Sequence, residues 1–172
     1  RHEDTLYAGL WMSGFAIIDI SDIKNPKTLS TYNPHPTETE PSHTLLRFPF
    51  QIDGRDIALG IDEERTGRKE PAGKPHAPLY VFDVTDPTKM ELLYTHHVPE
   101  EGMPYTGNDV RFGAHQFREK FDDTLTYVTW FAAGLRILDI ANPSAPEEVG
   151  YFIPEPGESY NAPQTNDVER DH

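Results

Sequence analysis

Short runs in which apolar and polar residues alternate recur along the chain. That period of two predicts half-buried strands; an amphipathic helix would repeat every 3.6 residues. Three runs line up on a central aspartate: FAIIDISDIKNPKTLSTY around Asp19, LYVFDVTDPTKMELLYTH around Asp83 and LRILDIANPSAPEEVGYF around Asp139. Each opens on β-branched or aromatic residues, which fit a pleated surface. Each then meets a polar turn, beginning at Asp22, Asp86 or Asn142. Asp or Asn there can bond its own backbone, and the nearby prolines preset a turn dihedral. A second strand follows at Thr28–Tyr32, Glu91–Thr95 and Glu147–Phe152, so every unit contains a hairpin.

Another strand precedes each hairpin: Thr5–Trp11, Arg55–Ile61 and Thr124–Trp130. The second and third units carry one more before it, Ser42–Phe48 and Phe112–Arg118. Lettered A to D, these make four antiparallel strands per unit. The aspartate spacings of 64 and 56 residues reflect in part a long loop, Glu63–Pro78, between B and C of the second unit. Such units predict an all-β fold of β-propeller blades. The expected boundaries within the 1–172 propeller segment are B-C-D of blade 1 over 5–36, blade 2 over about 41–99 and blade 3 over about 110–154. Residues 162–170 are expected to form the A strand of a further blade. About three blades' worth leaves strand edges open, because propellers usually close with four to eight. The expected partner is therefore the rest of the ring. It would come from a longer polypeptide, which the start at Arg1 without Met favours, or from a second copy completing six blades.

The pattern G-[FL]-x-[IV]-[IL]-D-[IV]-[SA]-[DN]-x-x-x-P, met at Gly14 and Gly134, resembles the LVIVD-repeat family of bacteria and archaea. The block from Arg111 through Pro156 is similar to a stretch of that family's longer proteins. The resemblance implies a β-propeller and an extracellular, periplasmic or cell-surface location. The middle unit departs from it, lacking the leading Gly and the Pro seven residues after its Asp.

Composition narrows the partners. A formal net charge of -14, with 15 basic and 29 acidic residues, argues against nucleic acid and anionic membranes, since the basic residues are scattered. No apolar run approaches the ~18 residues of a membrane-spanning helix, so no insertion is expected. The chain has no cysteine, which removes disulfides, thiolate metal sites and cysteine nucleophiles.

The strongest chemical hint is positional. His43 and His115 fall in equivalent A strands, and innermost strands line a propeller's channel. Imidazoles arriving from successive blades suit Fe, Mn, Cu or Zn, though a hydrated, hydrogen-bonding pair is the plainer alternative. The third A strand offers Asn166 and Asp167 instead. Arg47, Arg111 and Arg118 lie beside or within the A strands and can balance carboxylates or hold an anion. Trp11 and Trp130 close equivalent B strands, where an aromatic packs between blade faces or serves as a ligand platform. Asp62, Glu63 and Glu64 read as a solvated acidic turn, and His35, His76, His96, His97 and His172 as surface residues. One Asp per unit argues for a turn bond rather than catalysis. No nucleophile-elbow, HExxH or glycine-rich phosphate motif occurs. The leading expectation is a propeller scaffold that binds a protein or small ligand at its ring face or channel. The alternative is a metal-dependent oxidoreductase or lyase with a His-lined axial site.

Overall fold

A computed structural model describes residues 2–65, 76–107 and 110–171. Its described residues form eleven strands and no helix. The first sheet is β1 (Thr5–Gly9), β2 (Phe15–Asp19) and β3 (Lys27–Tyr32), in that order. The second runs β4 (Ser42–Arg47), β5 (Ile57–Asp62), β6 (Leu79–Asp83), β7 (Glu91–His96). The third runs β8 (Ala114–Phe117), β9 (Leu125–Trp130), β10 (Gly134–Asp139), β11 (Glu147–Phe152). All pairings are antiparallel between consecutive strands. These are three successive propeller blades in an open array, the first with no A strand among the described residues.

The repeated aspartates do the same local job in each blade. Asp19, Asp83 and Asp139 each accept the backbone N–H two residues on, from Ser21 at 2.8 Å, Thr85 at 2.9 Å and Ala141 at 2.9 Å. Asp22, Asp86 and Asn142 repeat the bond one turn later, to Lys24, Thr88 and Ser144. These side chains supply the partner that the turn's backbone would otherwise lack.

The leading glycines are also accounted for. Gly14 and Gly134 have φ of 79° and 82°, a left-handed conformation that side chains resist. A Cβ on either would come 2.3 Å from a carbonyl oxygen of the neighbouring D strand, that of Tyr32 or Phe152. Pro78 stands at this position in the middle blade, where the long loop replaces the tight B–C turn.

Blade 2 is sandwiched, so β5 is buried along its whole length. One face places Ala58, Tyr80 and Phe82 against Phe15 and Ile17 of blade 1, with Phe15 edge-on to Tyr80 at 5.5 Å and to Phe82 at 5.7 Å. The other places Ile57, Leu59 and Val81 against Val128, Trp130 and Leu138 of blade 3. Each such side chain contributes roughly 1.5–3 kcal/mol on burial, so the blades hold together by packing.

The structure corrects several expectations. Residues 162–170 form no strand among the described residues. They lie beside the end of β9 instead, with Thr165 N–H donating to Phe131 O at 3.1 Å. β1 ends at Gly9 rather than Trp11. Phe15 pairs with Gly9 and Leu135 with Thr129, so the counterpart of Trp11 is Phe131, and that of Trp130 is Leu10. Trp130 is buried between blades, whereas Trp11 is 45 % exposed because blade 1 lacks the inner strand that would cover it. His96 is not a surface residue, since it packs edge-on against Trp130 at 5.6 Å. His172 and positions 66–75 of the Glu63–Pro78 loop lie outside the described residues.

Candidate metal centre

Both inner-strand histidines sit on β-bulges. The β4–β5 register shifts between Ser42 and Thr44, and the β8–β9 register shifts between Ala114 and Gln116. A bulge leaves its extra residue out of the ladder and re-aims its side chain. Here the re-aimed residues are His43 and His115, whose rings approach to 5.1 Å between centroids. Glu63, just beyond the end of β5, faces both: Oε2 is 3.8 Å from His43 Nε2, and Oε1 is 3.9 Å from His115 Nε2. One ligand atom from each of the three residues lies within 4.8 Å of the others. Ligand atoms about 2.1 Å from a shared ion lie roughly 3–3.5 Å apart, so a small contraction would close the set.

His115 has the tautomer that ligation needs. His115 Nδ1 lies 2.5 Å from the carbonyl oxygen of Asn166. A carbonyl only accepts, so Nδ1 carries the proton and Nε2 presents its lone pair toward Glu63. Thr129 Oγ1 lies 3.0 Å from the same carbonyl and 2.9 Å from Gln116 O, sharing its one proton between them. His43 Nδ1 meets Thr44 Oγ1 at 2.9 Å, and its Nε2 faces the site. Such outer partners fix ring orientation at metal centres. Burial, with the adjacent His115, pushes the His43 pKa down against the opposing pull of Glu63, favouring the neutral ring.

Arg111 completes the surroundings. Its Nη2 donates to Glu63 Oε1 at 2.7 Å, and its Nε donates to Glu64 O at 2.8 Å. The guanidinium carbon lies 3.5 Å from the centroid of Phe131, whose ring is in turn 5.0 Å from His115. Behind it, the buried Glu64 carboxylate accepts the Phe112 and Gly113 N–H groups at 2.8 Å each. His76 bridges Glu64 at 2.5 Å and Glu100 at 3.0 Å. This clamp fixes the loop that carries Arg111, and it places His76 in a network rather than on the surface.

The remaining candidates stay outside the centre. Arg47 pairs with Asp56 at 2.7 Å, and Arg118 pairs with Glu169 at 2.7 Å and Asp122 at 2.9 Å, so both balance carboxylates. The acidic turn is not solvated. Asp62 and Glu64 are buried, because the chain runs on between blades past β5. Asp62 accepts from Tyr80 Oη at 2.7 Å, and burial pushes its carboxyl up to about 7.

Glu63 was the residue the sequence hid. Leu79 pairs with Ile61, so two residues further on Glu63 holds the blade position of Trp11 and Phe131. That substitution of a carboxylate for an aromatic is a signal, masked by the long loop that separates Glu63 from Asp83. The LVIVD repeat model matches residues 2–34 and 125–153. The chain carries LVIVD repeats. Both matched stretches are B-C-D hairpin units of blades 1 and 3, so His43, Glu63, Arg111 and His115 all lie outside them. No curated protein matches the chain.

Proposed function

We propose that this LVIVD-repeat propeller is a scaffold for a divalent transition metal of the Fe, Mn, Cu or Zn class, held by His43, Glu63 and His115. The observation that carries the reading is the convergence of three ligand atoms within 4.8 Å from two bulges and one strand end. Two neutral imidazoles and one carboxylate suit Zn or Fe(II) and leave coordination positions open, as catalytic centres do and closed structural sites do not. That favours the metal-dependent alternative, of oxidoreductase or lyase type, over a scaffold that only docks a protein. On this reading the remainder of the propeller ring is a partner, supported by the inner edge of β1, which has no A strand beside it. A location outside the cytoplasm rests on the family resemblance.

The test is metal analysis of protein purified without chelators and then dialysed against each ion in turn. About one ion per chain is expected, lost in His43→Ala, His115→Ala protein that keeps its β circular dichroism. Folded wild-type protein that takes up none of the four ions overturns the reading.

A further inference from the structure

A metal held by these three residues carries surplus positive charge. Two neutral imidazoles and the Glu63 carboxylate neutralise one unit of a divalent ion, and Arg111 adds another beside it. Glu119, which influences His43 electrostatically and accepts from Gln116 Nε2 at 2.8 Å, offsets part of this. Glu64 is turned away on Phe112 N, Gly113 N and His76. In a chain with a net charge of -14, a locally cationic pocket is a specific feature.

Arg111 keeps one donor nitrogen open to an anion. Nε and Nη2 are tied to Glu64 O and Glu63 Oε1, and stacking on Phe131 fixes the guanidinium plane. Nη1 has no protein acceptor among the described residues. The side chain is 17 % exposed, so an anion there displaces little water. Nη2 lies 2.7 Å from Glu63 Oε1, which puts the guanidinium within about 5 Å of an ion on that oxygen. With its other donors taken, the guanidinium offers an anion charge-assisted N–H bonding through Nη1 alone.

We propose that the centre binds a small carboxylate or oxyanion, with one oxygen on the metal and another on Arg111 Nη1. This rests on the metal reading above. It names the class of ligand or substrate for that site: one with an anionic oxygen group.

Cobalt(II) serves as a spectroscopic probe. Metal-loaded protein is titrated with acetate, oxalate and sulfate while its visible bands are followed. Arg111→Met and Arg111→Lys proteins are carried in parallel, and each protein's cobalt affinity is first measured by chelator competition without added anion. At least one of the three anions should shift the bands saturably. Its dissociation constant should rise about tenfold or more in Arg111→Met, as loss of one charge-assisted bond predicts, with partial recovery in Arg111→Lys. Cobalt bound with no response to any of the three anions overturns this proposal and leaves the metal reading standing. Unchanged anion affinity in a folded, cobalt-loaded Arg111→Met protein overturns it too. Failure to bind cobalt overturns this proposal, and failure to take up any of Fe, Mn, Cu and Zn as well overturns both.

Discussion

Replacing Gly134 by Ala tests the claim that the repeat's leading glycine is a steric requirement of the blade. The backbone there has φ of 82°, which costs a residue with a Cβ about 1–2 kcal/mol. The new Cβ would also lie 2.3 Å from Phe152 O and 2.9 Å from Ile153 Cα. Those are backbone atoms of the paired D strand, so relief requires moving β11 away from β10 at the Leu135–Phe152 pair. Losing one ladder bond adds about 1 kcal/mol, for a total of about 2–3 kcal/mol. Gly54 supplies the control. Its φ of 71° is similar, but a Cβ there meets nothing within 4 Å, so Gly54→Ala should cost only the dihedral contribution. Urea unfolding of both variants, followed by circular dichroism, reads the difference. With a slope of about 1–3 kcal/mol per molar urea, Gly134→Ala should unfold at a midpoint lower by several tenths of a molar or more than Gly54→Ala. Equal midpoints would refute the steric argument and leave φ alone as the reason for the glycine.

Two further outcomes follow from the same packing. Asp62 has a folded-state pKa of about 7, raised from 3.8, so its contribution to stability is fully present below the unfolded value and lost as pH rises through about 7. In chelator-treated protein, Asp62→Asn should match wild type near pH 4 and exceed it by up to about 4 kcal/mol at pH 8; a constant difference across that range in urea melts refutes the burial argument. The open edge of β1 predicts that the 19.5 kDa chain does not persist as a well-behaved monomer, and light scattering during size exclusion giving that mass at high concentration would refute it.

The blades were legible in the sequence because their determinants are local. Period-two alternation, an Asp at the strand end and a polar turn all act within a few residues, and the structure places the B, C and D strands close to where those signals fall. The inner strands were legible too, and His43 and His115 lie on them. What the sequence could not show was set by register. A bulge is a mismatch between two strands, so neither SHTLLR nor FGAHQF announces alone that its histidine is the unpaired residue. Trp11 and Trp130 looked equivalent because both stand near a glycine, yet they are one residue out of register, and Trp11 is exposed because its blade lacks the inner strand that covers Trp130 in blade 3. The Asp62–Glu64 run looked solvated because three carboxylates suggest water. Its burial follows from blade 2 lying between two others, a fact of tertiary order.

The site arises where the repeat is broken. In blade 3, the residue two beyond the paired B-strand position is Phe131, which covers His115 with a ring. In blade 2, the same position is Glu63, which meets His43 with a carboxylate. Had Glu63 been aromatic like its counterparts, two imidazoles would face a greasy wall, and a cation would find neither charge nor a third ligand. Had Phe131 been acidic, Arg111 would have a competing partner and its plane would not be fixed by stacking. The repeated hairpins thus supply a rigid frame with equivalent positions, and the chemistry depends on filling those positions unequally. The unmatched residues between the two LVIVD units, in blade 2 and at the start of blade 3, are where function is to be sought.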